Sequence, residues 1–276
     1  MIIDGHAHSG GEFFAPESLV RKLDELGVDR VLLSPGPVNA SAVWPIPDLT
    51  PVLKERRLNY AGNKLIQAAA KLVPERFSLQ AGNAHVSLLA GRAPGRVLRS
   101  HWVDTSREDF VRDCEKFYDA APFATLKLHL AFQRFSLGSP GTGRLAEFAA
   151  SRRLPVFVHI YDGGDAEALL KLAREHRGAV FIVGHLLGLN VFERERPAVP
   201  ENVFFDISPP NLLPLPFVLR ALRSFGAGRL VLGSDTPYGV DNLKKAVERV
   251  RALPVSESDQ ELILGRNLAD LLGLSR

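Results

Sequence analysis

The stretch PVFVHIYDGGDAEALLKLAREHRGAVFIVGH (residues 155–185) decides how this chain is read. PVFVHI (155–160) is a nearly continuous apolar run, as a strand covered on both faces requires. DAEALLKLAREHRG then repeats its apolar residues at intervals of three and four, and Gly178 follows the last of them as a helix stop. AVFIVGH (179–185) is a second buried strand. Strand, helix and strand at this spacing form a β/α/β unit with parallel strands, because the helix carries the chain back to its starting edge.

The same alternation extends in both directions. Strands are expected at MIIDGHAH (1–8), RVLLSP (30–35), FSLQAGNA (77–84), FATLKLHL (123–130), NVFFDIS (202–208) and RLVLGSD (229–235). Helical patterns lie between them: PESLVRKLDELG, LNYAGNKLIQAAAKLV, REDFVRDCEKFYDAA, GRLAEFAASRR, LPFVLRALRSFG and DNLKKAVERVRAL. LLGLNVFERERPAVPE, between the sixth and seventh strands, carries the weakest helical pattern. Eight strands alternating with helices predict a single α/β domain over residues 1–276, a (β/α)8 TIM barrel; an open doubly wound sheet is the alternative. SESDQELILGRNLADLLGL reads as two extra C-terminal helices on the outside, and the proline-rich stretch 35–58 with Trp44 as an insertion that could cover a barrel mouth.

Composition narrows the classes. With 276 residues, 46% of them hydrophobic, the chain can bury a large core. No apolar run approaches the ~20 residues of a membrane span. Net charge is only +3, with no Lys/Arg block and no basic–aromatic interleaving, so no nucleic-acid partner is expected. The lone cysteine and the absence of a basic-then-apolar leader before DGHAH suggest a cytoplasmic protein. GTG in SPGTGR lacks the Lys-Ser/Thr of a phosphate loop and the spacing of a dinucleotide fold.

The chemistry follows from where the histidines fall. His6, His8, His129, His159 and His185 lie in or at the C-terminal ends of expected strands, and Asp235 closes the last one. Barrel enzymes build their sites at that rim. Residues two apart in a strand face the same way, so His6 and His8 form a chelating pair for a divalent metal. His85 would end the third strand, while His101 and His176 read as loop and helix-surface residues.

DGHAH, KLH, VH, GH and GSD, in that order, with the ending ILGRNLADLLGL, resemble the amidohydrolase superfamily over nearly the whole chain. The resemblance is to its amidohydrolase-related branch of barrel hydrolases and decarboxylases. It implies that His6, His8 and His159 bind metal, that Asp235 completes the site and acts as the catalytic base, and that His185 is a second-metal ligand or a catalytic group. One or two divalent ions are implied; zinc suits so many imidazoles, with manganese, iron, cobalt and nickel as alternatives. Lys127 is either carbamylated and bridging, or a free ammonium that holds an anionic substrate; the second reading is preferred here. His129, Tyr161 and Arg134 are further substrate-binding candidates, with Tyr238, Asp162, Phe13, Phe14 and Trp44 as lesser ones.

The expected reaction is hydrolysis of an amide, lactone or ester-type bond in a small molecule by metal-activated water. Non-hydrolytic decarboxylation of an aromatic or unsaturated acid uses the same ligands and is the principal alternative. An arginine clamp and aromatic walls would favour it. A deoxyribonuclease barrel would present an acid where Lys127 stands, and a non-catalytic ligand-binding barrel would not keep the whole ligand set. A homodimer is a base-rate expectation.

Overall fold

A computed structural model of the chain describes residues 1–36, 41–54, 60, 62–64, 67–68 and 78–274. Eight parallel strands stand side by side in chain order: β1 (Ile3–His8), β2 (Arg30–Ser34), β3 (Val97–Trp102), β4 (Thr125–His129), β5 (Val156–His159), β6 (Phe181–Val183), β7 (Val203–Asp206) and β8 (Leu230–Val231). Backbone bonds from Gly5 N to the Leu232 carbonyl (2.8 Å) and from Asp235 N to the His6 carbonyl (2.7 Å) bring the end of the sheet back to its start. Gly5 permits this approach, since a Cβ there would come within 2.8 Å of the Leu232 oxygen. The result is a nearly closed (β/α)8 barrel, as the sequence predicts.

Helices wrap the outside: α1 (Pro16–Glu25), α2 (Leu79–Arg92), α3 (Phe110–Ala120), α4 (Pro140–Arg152), α5 (Gly163–Glu175), α6 (Leu189–Arg194), α7 (Leu215–Phe225) and α8 (Asn242–Arg251). Their starts follow local chemistry. Ser139 accepts from Thr142 N ahead of α4, and Asp162 with Asp165 forms a reciprocal cap at α5. GTG lies inside the first turns of α4 and forms no loop. The large core fills the shell between strands and helices.

Three expectations are corrected. FSLQAGNA is not the third strand: from Leu79 the chain is α2, capped by Ser78, and β3 is the later VLRSHW. A polar Arg99-Ser100-His101 run hides that strand from an apolar-run reading. His101 is therefore a strand residue facing the helical shell, stacked on Phe123 at 4.7 Å, and His85 is a helix residue bonded to the Phe14 carbonyl. Nor do both C-terminal helices decorate the outside. After α9 (Glu257–Glu261) and a π-helical turn, α10 (Asn267–Leu271) sends Leu268 and Ala269 into the cluster of Ile3, Leu32, Phe157, Ile182 and Val231 inside the barrel. This closes the end opposite the histidines. Most of the helix expected over 58–73 lies outside the described residues.

Candidate metal and substrate site

His6, His8, His129 and His159 are buried in the barrel mouth, and His185 is half-buried at its rim. Their two nitrogens have separate tasks. His6 Nδ1 donates to the Asp206 carboxylate (3.2 Å), with Ser208 Oγ at 3.0 Å; His8 Nδ1 donates to the Pro35 carbonyl (2.6 Å); His185 Nδ1 donates to the Ser208 carbonyl (3.1 Å). A proton fixed on Nδ1 leaves the Nε2 lone pair for a cation, which is how protein-bound metals are usually ligated. Asp235 Oδ1 stands 3.6 Å from His6 Nε2 and 3.5 Å from His8 Nε2. Donor atoms of His6, His185 and Asp235 all fall within 4.8 Å of one another. Nitrogen lone pairs, a carboxylate and fixed tautomers suit a divalent ion such as zinc or manganese.

Lys127 occupies the focus of this set. Its Nζ lies 2.9 Å from His6 Nε2 and 3.0 Å from His8 Nε2, donating to both, with the Trp102 and Phe157 rings beside it at 5.4 and 5.3 Å. A divalent ion held by the same two nitrogens would displace the amine. Burial pulls the Lys127 pKa down to about 7, against the pull of Asp235 and Asp206. Burial also raises the Asp235 carboxyl well above the carboxylate range, opposed by Lys127. The same burial, reinforced by neighbouring cations, holds His6, His8, His129 and His159 well below the usual imidazole value, so they are neutral and able to ligate.

The remaining candidates divide. His159 reaches the mouth and meets the His185 ring at 4.9 Å, but its Nε2 is turned to Asn63 Oδ1 at 2.8 Å. His129 is stacked between His159 (3.8 Å) and Trp102 (5.2 Å). Tyr238 stands edge-on to His8 at 5.3 Å, and Trp44 of the insertion bridges to it. Arg134 is committed elsewhere: it pairs with Asp165 at 2.8 Å and lies over the Tyr161 ring at 4.4 Å. Phe13 is buried in the outer core, and Phe14 packs on His85.

Sequence reading missed Asp206, Ser208, Asn63 and Trp102. The first two sit in NVFFDIS, whose final polar residues fall on the inward rim of β7, and that position was the available signal. Gly233 is equally informative, since a Cβ there would strike the Asp206 carboxylate. His185 and Asp235 both hold left-handed backbone (φ 60° and 56°), a conformation uncommon outside glycine and often kept where function requires it.

A (β/α)8 barrel with imidazoles and a carboxylate converging at its C-terminal mouth has the arrangement of a barrel enzyme whose rim could hold a metal ion. The chain matches the amidohydrolase family model over residues 3–274 and belongs to that family. It is similar in fold to a dihydroxybenzoic acid decarboxylase from Polaromonas sp. JS666 with bound manganese and 2-nitroresorcinol (16% identity, TM-score 0.67, 100% of this chain and 97% of that one). Similar too are a 4-oxalomesaconate hydratase from Rhodopseudomonas palustris (12%, 0.68, 99% and 96%) and a probable 2-pyrone-4,6-dicarboxylic acid hydrolase from Acinetobacter baumannii with citric acid (15%, 0.64, 99% and 99%). No curated protein matches the chain in sequence. Among the described residues, no helix is long and apolar enough to cross a membrane.

Proposed function

We propose that this protein is a metal-dependent hydrolase acting on an amide, lactone or ester-type bond of a small anionic molecule. The observation that carries this reading is the convergence of the His6 and His8 Nε2 lone pairs with Asp235 and His185 in one buried mouth. His6, His8, His185 and Asp235 would hold the ion, with His159 joining if it releases Asn63. Zinc suits this donor set, and manganese is supported by the metal of one structural neighbour. When bound, the ion supplies Lewis acidity, activating water and polarising the scissile carbonyl.

The residues themselves do the rest. Asp235 would accept the proton of the attacking water at its carboxylate and return it to the leaving group. Lys127, displaced from the imidazoles, donates to an anionic substrate oxygen, and His129 and Tyr238 bound the pocket. Decarboxylation is the second reading, favoured by the aromatic rings of Trp102 and Phe157 beside Lys127 but not by Arg134, which Asp165 already holds.

A screen of lactones, amides, esters and unsaturated carboxylic acids in 18O-labelled water separates the two. Hydrolysis places one label in the product, whereas decarboxylation releases carbon dioxide from unlabelled substrate carboxyl. Asp235→Asn is expected to lower turnover by about 100-fold or more in the reaction found. Carbon dioxide release without label incorporation would replace the hydrolase reading by the decarboxylase.

A further inference from the structure

His159 differs from its neighbours in which nitrogen carries the proton. Carbonyls accept from Nδ1 of His8 and His185, and the Asp206 carboxylate accepts from Nδ1 of His6, so these three rings keep a bare Nε2 lone pair. His159 is set the other way. The Asn63 amide donates through Nδ2 to the Ile160 carbonyl (3.2 Å) and the Tyr161 carbonyl (2.7 Å). That leaves only its oxygen for His159 Nε2, at 2.8 Å. An amide oxygen accepts and never donates, so Nε2 of His159 holds a proton. A protonated nitrogen has no lone pair to offer a metal.

Position agrees with protonation. Among the described residues, the donor atoms that gather within 4.8 Å of one another belong to His6, His185 and Asp235. His159 stays outside this group, although its ring meets that of His185 at 4.9 Å. Asn63 is no chance surface neighbour. It is 2% exposed, lies 96 positions before His159 in the insertion between β2 and α2, and is fixed by three hydrogen bonds. We propose that Asn63 is a tautomer lock on the metal site: it holds the His159 proton on Nε2, and an ion recruits His159 only by expelling the amide oxygen. This rests on reading the mouth as a metal site, and it gives a residue that never ligates the ion control over its affinity. In the exchange the ion takes the Nε2 lone pair, the proton moves to Nδ1, and Asn63 Oδ1 loses its donor. A buried acceptor left unmet is costly, and the ion has to overcome that cost.

Metal-free protein with 15N-labelled histidine is followed by NMR as zinc is added, and the His159→Ala spectrum identifies the His159 signals among the eight histidines. Before zinc, His159 should show a protonated Nε2 where His6, His8 and His185 show a protonated Nδ1; zinc should move the His159 proton to Nδ1. Asn63→Ala is expected to bind zinc about tenfold more tightly than wild type. That gain should vanish in the His159→Ala background, where the lock has nothing to hold. A substitution that merely loosened the insertion would change affinity equally in both backgrounds, which would overturn the lock. Equal zinc affinity in wild type and Asn63→Ala, or a His159 Nε2 proton that persists at saturating zinc, would overturn it too while leaving the metal site standing. Absence of zinc binding from both proteins would overturn the metal site, and the lock with it.

Discussion

Asp206 shows how a residue that touches no substrate can govern a site. Its buried carboxylate receives His6 Nδ1, Ser208 Oγ and the His185 backbone N–H, so one group fixes two of the histidines. Such outer partners of metal-ligating histidines typically contribute 10–100-fold to metal affinity. Asp206→Asn keeps the shape and removes the charge. Metal titration should show affinity reduced by about that factor while circular dichroism stays unchanged; unchanged affinity would deny Asp206 its role. At this scale the sequence exposed the residues whose type is informative anywhere: His6, His8, His185, Asp235 and Lys127 stand out in strand-end motifs. Asp206 did not, because an aspartate after an apolar run also reads as an ordinary turn residue. Only the fold sets it beneath His6, two hundred positions away.

At the scale of elements, β3 carries both the error of the sequence reading and a consequence. Its inward face supplies Ser100 and Trp102, while its outward face places His101 under α3 against Phe117 and Phe123. Strands with long apolar runs were legible; this one, mixed polar on both faces, was not, and FSLQAGNA before it, itself interrupted by polar residues, took its place. Burial, with Arg99 nearby, pulls the His101 pKa down to about 4. An unfolded histidine titrates near 6.5, so between these values the unfolded chain binds a proton that the folded chain refuses. Stability from this residue is complete above about pH 6.5 and is lost as pH falls, by up to about 3 kcal/mol near pH 4. His101→Leu should therefore flatten the acid side of the denaturation profile relative to wild type; a parallel profile would contradict the assignment.

The molecule as a whole divides its barrel into a polar mouth and an apolar floor. The alternation of strands and helices made the eightfold barrel legible, but not the way its floor is sealed. ILGRNLADLLGL reads as an amphipathic surface ending, yet α10 places Leu268 and Ala269 among Ile3, Leu32, Phe157 and Val231. Truncating a buried leucine usually costs 2–5 kcal/mol, so Leu268→Ala should lose roughly that in chemical denaturation, and a loss below about 0.5 kcal/mol would mean the helix does not seal the barrel. Closing one end directs substrate to the other, where His6, His8, His185, Asp235 and Lys127 meet. The central claim is that this mouth holds a divalent ion, and elemental analysis of chelator-free protein beside His6→Ala/His8→Ala tests it most directly. The account predicts about one equivalent per chain in the wild type, or two with a carbamylated Lys127, and a loss in the double variant. Protein that contains no metal and takes up neither zinc nor manganese would contradict it.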